Sequence, residues 1–136
     1  LHGDGELQEG QIWEATMFAA GRKVDNLIAT IDRNGQQIDG PTEEVMPLGD
    51  VETKFKAFGW DVISLPDGND VQAVIDTMEE ARKRTGHGKP VAVVMETVMG
   101  HGVDYMMHTH AWHGKAPNDE QLERGLAQNP ETLGDY

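Results

Sequence analysis

Apolar positions along the chain follow two periods, and the periods alternate. From Gly10 to Ala20, residues Ile12, Ala15, Thr16, Ala19 and Ala20 recur at helical spacing, with Gly21 placed as a stop. Leu27 to Ile31 is a short, almost wholly apolar run with β-branched residues, the pattern of a strand covered on both faces. Asp50 is suited to cap a helix that runs through Phe58 and ends at Gly59. Trp60 to Leu65 reads as a second strand. The clearest helix spans Asp70 to Arg84, where Val71, Val74, Ile75 and Met78 form one stripe. Its last turn carries Arg82, Lys83 and Arg84, favourable at the negative end of the helix dipole, and Gly86 follows. Pro90 introduces a third strand, Val91 to Thr97. From His101 the period fades into a loop, and a short helix is expected around Asp119 to Ala127. Such alternation predicts an α/β fold in three layers, a mainly parallel sheet with helices on both faces and right-handed crossovers.

Composition then narrows the function. The 136 residues fit one domain with a sizeable core. With 24 acidic and 11 basic residues the net charge is −13, which argues against a nucleic-acid surface. No cysteine is present, so a disulfide framework, a thiolate zinc site and a cysteine nucleophile are excluded, and a reducing cytoplasm is the expected location. No apolar run approaches the ~18 residues of a membrane span. The chain opens on Leu1, with a glycine-rich segment from its third residue, and reads as a fragment or one piece of a divided protein.

The segment with chemistry begins at Gly3-Asp4-Gly5, and Asn34 lies 30 positions after Asp4, just past the apolar strand 27–31. Parallel sheets bind ligands beyond the carboxyl ends of their strands. If a strand precedes Gly3, Asp4 and Asn34 occupy the same ends of neighbouring strands and converge. Two oxygen-bearing side chains suit magnesium, which also keeps water or phosphate oxygens among its ligands. Gly3 and Gly5 allow a phosphate to approach the backbone closely, and the helix that follows offers its N-terminal amides. The bland alternative is a pair of tight turns, at Gly3-Asp4-Gly5 and at Asn34-Gly35.

GDG, 28 intervening residues and Asn together match the thiamine-diphosphate fingerprint. The stretches GDGELQEGQIWEA (3–15), DNLIATIDRNGQQIDGPTEEV (25–45), AFGWDVI (57–63) and WHGKAPND (112–119) resemble the transketolases, above all those divided into N-terminal and C-terminal subunits. The resemblance implies the thiamine-diphosphate-binding fold, with 1–136 as the C-terminal portion of a single diphosphate-binding domain, incomplete at its N-terminus. It further implies that Asp4 and Asn34 bind Mg2+ (Ca2+ or Mn2+ as substitutes) through their side chains and Gln36 through its backbone carbonyl. The Gly5 amide would contact the diphosphate. Glu9 would lie at the subunit interface, linked to the partner's cofactor-activating glutamate. His113 would stand near diphosphate and substrate as a catalytic residue, aiding proton movement or stabilising charge. Met99 stands where the divided members usually carry lysine near the cofactor, and it offers a thioether in place of that charge.

The implied activity is transfer of a two-carbon ketol unit between sugar phosphates, with thiamine diphosphate and Mg2+. The implied partner is a C-terminal subunit carrying the pyrimidine-binding domain, in an oligomeric assembly. Two other readings are weighed beside it. A non-catalytic assembly remnant would keep the same signature. Zinc binding by His101, His108, His110 and His113 would use one glycine-containing loop, although their spacing matches no common zinc motif.

Overall fold

The computed structural model describes residues 1–129. In chain order the elements are β1 (His2–Gly3), a 3-10 turn (Gly5–Gln8), α1 (Gly10–Gly21) and β2 (Ile28–Arg33). A hairpin of β3 (Gln36–Gln37) and β4 (Gly40–Pro41) follows, then α2 (Thr42–Val45), α3 (Val51–Ala57), β5 (Asp61–Leu65) and α4 (Val71–Arg84). The chain continues through β6 (Val91–Glu96), a second 3-10 turn (His110–Trp112) and α5 (Asp119–Gln128). The main sheet has the order β1-β2-β6-β5, and every pair in it is parallel.

β6 shows why the sheet is covered on both faces. Ala92 and Val94 point into a cluster with Leu7, Ala19, Ile31, Val51, Phe55 and Trp60, drawn from the α1 and α3 side. Val91 and Val93 point the other way, into Leu65 and Ala81 with Val74 and Met78 of α4. Period-2 alternation therefore feeds two cores, which is the expected three-layer α/β arrangement. Aromatic rings tie the first core together: Phe55 meets Trp60 edge-on at 5.4 Å, and the Trp60 indole donates to the Thr16 carbonyl at 2.9 Å.

Asp50 caps its helix as expected, accepting from the Thr53 amide, and Asp70 likewise accepts from those of Gln72 and Ala73. One expectation needs correction. The buried ridge of α4 is Val74, Met78 and Ala81; Val71 and Ile75 are 72% and 50% exposed. α1 starts at Gly10 and stops at Gly21 as the spacing predicts, and the left-handed turn after it falls on Lys23 (φ 54°). A 3-10 turn, Gly5–Gln8, separates it from the glycine motif.

Candidate functional site

The strand on which that convergence depends is present as β1, which ends within the glycine motif at Gly3, and its register with β2 pairs His2 with Ile31 and Gly3 with Asp32. Asp4 therefore leaves β1, and Asn34 leaves β2, at the same edge of the sheet. The Asp4 amide donates to the Asp32 carbonyl at 3.1 Å, which extends the ladder by one bond.

Asp4 is 2% exposed. One carboxylate oxygen accepts from the Gly5 amide at 2.9 Å, the other from the Gly35 amide at 2.8 Å. Burial raises its pKa above the ordinary 3.8, and the nearby Asp32 charge pushes in the same direction; the Gly35 and Gly5 amides oppose both. The Thr42 hydroxyl lies beside the same carboxylate and helps to hold its charge. Yet Thr42 is fully buried and its oxygen has no partner of good hydrogen-bond geometry. The balance is an acid whose ionised form is under-compensated. Arg33 neighbours it, but that guanidinium is engaged by Glu96 at 2.7 Å.

Asn34 follows β2 and lines the same pocket as Asp4. Its amide oxygen accepts from the Gln36 amide at 2.9 Å, and its amide nitrogen donates to Asp32 at 3.3 Å. Gly35 takes φ 72°, a conformation that glycine adopts at no steric cost, and so turns its N–H back onto Asp4.

A cavity of about 450 Å³ opens over these residues, within the range of small-molecule sites. Its lining includes Asp4, Gly5, Glu9, Asn34, Gln36 and His113, six of the seven residues singled out from the sequence. Met99 is half-buried and is not among the lining residues. Glu9 is exposed on the rim; it takes the N-cap position of α1 but makes no side-chain cap bond. His113 comes from a separate segment, at the end of the second 3-10 turn, which packs against β4. The four histidines of the 101–113 loop do not gather: among the described residues no group of three or more His, Asp or Glu is placed to hold a metal.

The sequence reading passed over Gln37, which also lines the cavity. A Cβ on Gly5 would come within 3.0 Å of the Gln37 Cβ, so Gly5 is what lets the hairpin close onto the 3-10 turn. The Gln37 amide oxygen is buried there without a partner. A Cβ on Gly3, by contrast, would meet nothing within 4 Å, and the space over that backbone stays open. These features fit a bound diphosphate and hard cation. One buried carboxylate lacks a countercharge, an amide oxygen and a backbone carbonyl stand near it, and open backbone lies alongside. The Gly5 amide would have to serve both Asp4 and the ligand, since it already donates to Asp4.

Among the described residues no helix is long and apolar enough to cross a membrane. The family described as "Transketolase, thiamine diphosphate binding domain" matches residues 1–131. A 6-deoxy-6-sulfo-D-fructose transketolase subunit of Clostridium sp. is 41% identical over 93% of this chain and 45% of its own length. An apulose-4-phosphate transketolase subunit of Phocaeicola vulgatus is 40% identical over 98% of this chain and 46% of its own length. The chain thus spans about half the length of these curated relatives. A solved transketolase from Pichia stipitis, in complex with sedoheptulose-7-phosphate, superposes with a TM-score of 0.83 at 33% identity, over 93% of this chain and 18% of its own. The chain belongs to the transketolase family, within its thiamine diphosphate binding domain.

Proposed function

We propose that this chain supplies the diphosphate-binding side of a transketolase active site, as the C-terminal portion of one diphosphate-binding domain. The observation that carries the reading is the single cavity lined by Asp4, Gly5, Glu9, Asn34, Gln36 and His113. The Asp4 carboxylate, the Asn34 amide oxygen and the Gln36 carbonyl would hold Mg2+, whose charge would compensate the buried acid and the anionic cofactor. Thiamine diphosphate, when bound, supplies the carbanion chemistry of ketol transfer, and the protein supplies position and electrostatics. Gly3 and Gly5 keep the backbone low beneath the diphosphate. His113, exposed in the same cavity, moves a proton or stabilises negative charge at the substrate. Glu9, on the rim, reaches toward a partner.

That partner is a C-terminal subunit carrying the pyrimidine-binding side and the activating glutamate, within an oligomer. The names of the Clostridium and Phocaeicola relatives, each called a subunit, support a divided enzyme. Those names also support phosphorylated or sulfonated sugars as the substrate class. The test is ketol transfer by the purified chain, with cofactor and Mg2+ saturating, before and after adding the partner subunit and the upstream part of the domain. The reading expects turnover of ~1–1000 per second only when both are supplied. Such turnover from the chain alone would overturn the half-site.

A further inference from the structure

Asp32 is a hub for all three proposed cation ligands, although it lines neither the main cavity nor the smaller one behind Asp4. Its backbone carbonyl accepts the Asp4 amide at 3.1 Å, which holds the first ligand at the sheet edge. Its carboxylate accepts from the Asn34 amide nitrogen at 3.3 Å, which holds the second. Asn34 in turn accepts from the Gln36 amide at 2.9 Å, so the peptide next to the third ligand is fixed through the second. The Thr97 hydroxyl, just past β6, donates to the same oxygen of Asp32 and locks its rotamer. Thr97 is itself tied to β2, because its amide donates to the Arg33 carbonyl at 3.2 Å.

Chemistry makes this arrangement directional. An asparagine amide has a donor end and an acceptor end, and a cation must meet the acceptor end. The Gln36 N–H can only donate, so it selects the Asn34 oxygen. A carboxylate can only accept, so it selects the nitrogen. The two neighbours agree on one orientation, and the oxygen keeps a second lone pair for a metal. Without Asp32 only the Gln36 N–H would oppose rotation of the amide, and a rotated amide would present N–H groups to the cation.

We propose that Asp32 is a positioning residue that orients the Asn34 amide oxygen toward the cation. The inference rests on the proposed magnesium site and extends it to a residue outside the ligand set. Partners that orient metal ligands typically change metal affinity ~10–100-fold when removed.

The experiment measures Mn2+ binding by loss of the free-ion paramagnetic resonance signal, with thiamine diphosphate present, in the chain assembled with its partner. Asp32→Ala should weaken Mn2+ binding ~10–100-fold. Asp32→Asn, whose amide oxygen can still accept from Asn34 and Thr97, should restore most of the affinity. If Asp32→Ala does not fold, Asp32→Ser gives the same reading, because its hydroxyl can satisfy Thr97 but is too short to reach Asn34. Unchanged affinity in whichever of these two folds would overturn the proposal. So would an Asp32→Asn protein as weak as Asp32→Ser, since charge rather than orientation would then be responsible. The underlying site is judged separately: if Asn34→Ala binds Mn2+ as the parent does, the ligand set itself fails, whereas tight binding lost in Asn34→Ala but kept in Asp32→Ser sinks only the role of Asp32.

Discussion

The two walls of the cavity are built in different ways. Asp4 and Asn34 follow directly from paired parallel strands, so their backbones are set by the same ladder that holds the sheet. His113 comes from an irregular stretch, residues 97–118, with one 3-10 turn within it. That stretch is held by turns and side chains. Gly100 turns at φ 71° against Met106, and Tyr105 packs on Trp112 at 5.1 Å and donates to the Gln121 carbonyl. Asp104 is clamped to α5 by Arg124 and Gln128, whose hydrogen bonds hold its carboxyl below the usual range. In the proposed site, the cofactor ligands sit at the ends of paired strands. His113, proposed to serve the substrate, is carried by a part whose position depends on local packing. Loss of a strand-end residue should cost binding, and loss of a loop residue should cost turnover.

The largest effect should come from the loop wall. His113→Ala should lower ketol transfer by the assembled enzyme ~10²–10⁴-fold, the usual worth of an acid–base group, with the melting temperature unchanged. His108→Ala and His110→Ala should change turnover little. Full turnover from His113→Ala would remove that wall from the chemistry.

Two glycines sharpen the contrast. A Cβ at Gly100 would sit 2.5 Å from the Met106 Cβ, in a backbone that already favours glycine. Gly100→Ala should therefore combine strain of roughly 1–2 kcal/mol with overpacking of about 1–3 kcal/mol. Its turnover should fall more than its cation affinity. Gly35→Ala meets nothing within 4 Å and should cost the strain alone, roughly 1–2 kcal/mol. Because Gly35 holds Asp4, its effect should appear in cation binding first. Denaturant unfolding beside Mn2+ titration reads both pairs of numbers, and the opposite ranking would break the comparison.

A smaller effect is one of pH. Asp4 holds its proton more tightly when folded than when unfolded. Its contribution to stability is therefore fully present below the unfolded pKa of 3.8 and is lost as pH rises through the higher folded value. Without divalent cation, the stability difference between the parent and Asp4→Ala should shift against the parent as pH rises through that window. Added Mg2+ should reverse the shift at neutral pH. A difference independent of pH would show that burial does not perturb Asp4.

The strand-end wall was legible because each of its signals is local or periodic. The apolar run 27–31 marks β2, the acids at 50 and 70 mark helix starts, and the glycine motif marks a strand exit. The strands β3 and β4 were missed, since two-residue strands have no period to read and Ile38-Asp39 is not a strong turn pair. Asp32 was missed for a related reason. Its role follows from the register that sets β2 beside β6 and brings Thr97 to it, and no pattern within one strand reveals a neighbour. The placement of His113 was open for the same cause, because nothing periodic joins residue 113 to residue 4. The stripe on α4 was read in part: Val74 and Met78 face the sheet, but Val71 and Ile75 are exposed, and Ala81, which carries little hydrophobic weight, completes the ridge.

The central claim is that Asp4 binds a cation that in turn binds the diphosphate. Thermal unfolding of the assembled protein, with and without Mg2+ plus thiamine diphosphate, tests it directly. A ligand at ~100 times its dissociation constant stabilises by about 2.7 kcal/mol. The parent should show that shift only when both are present, and Asp4→Ala should show none. An undiminished shift in Asp4→Ala would contradict the account.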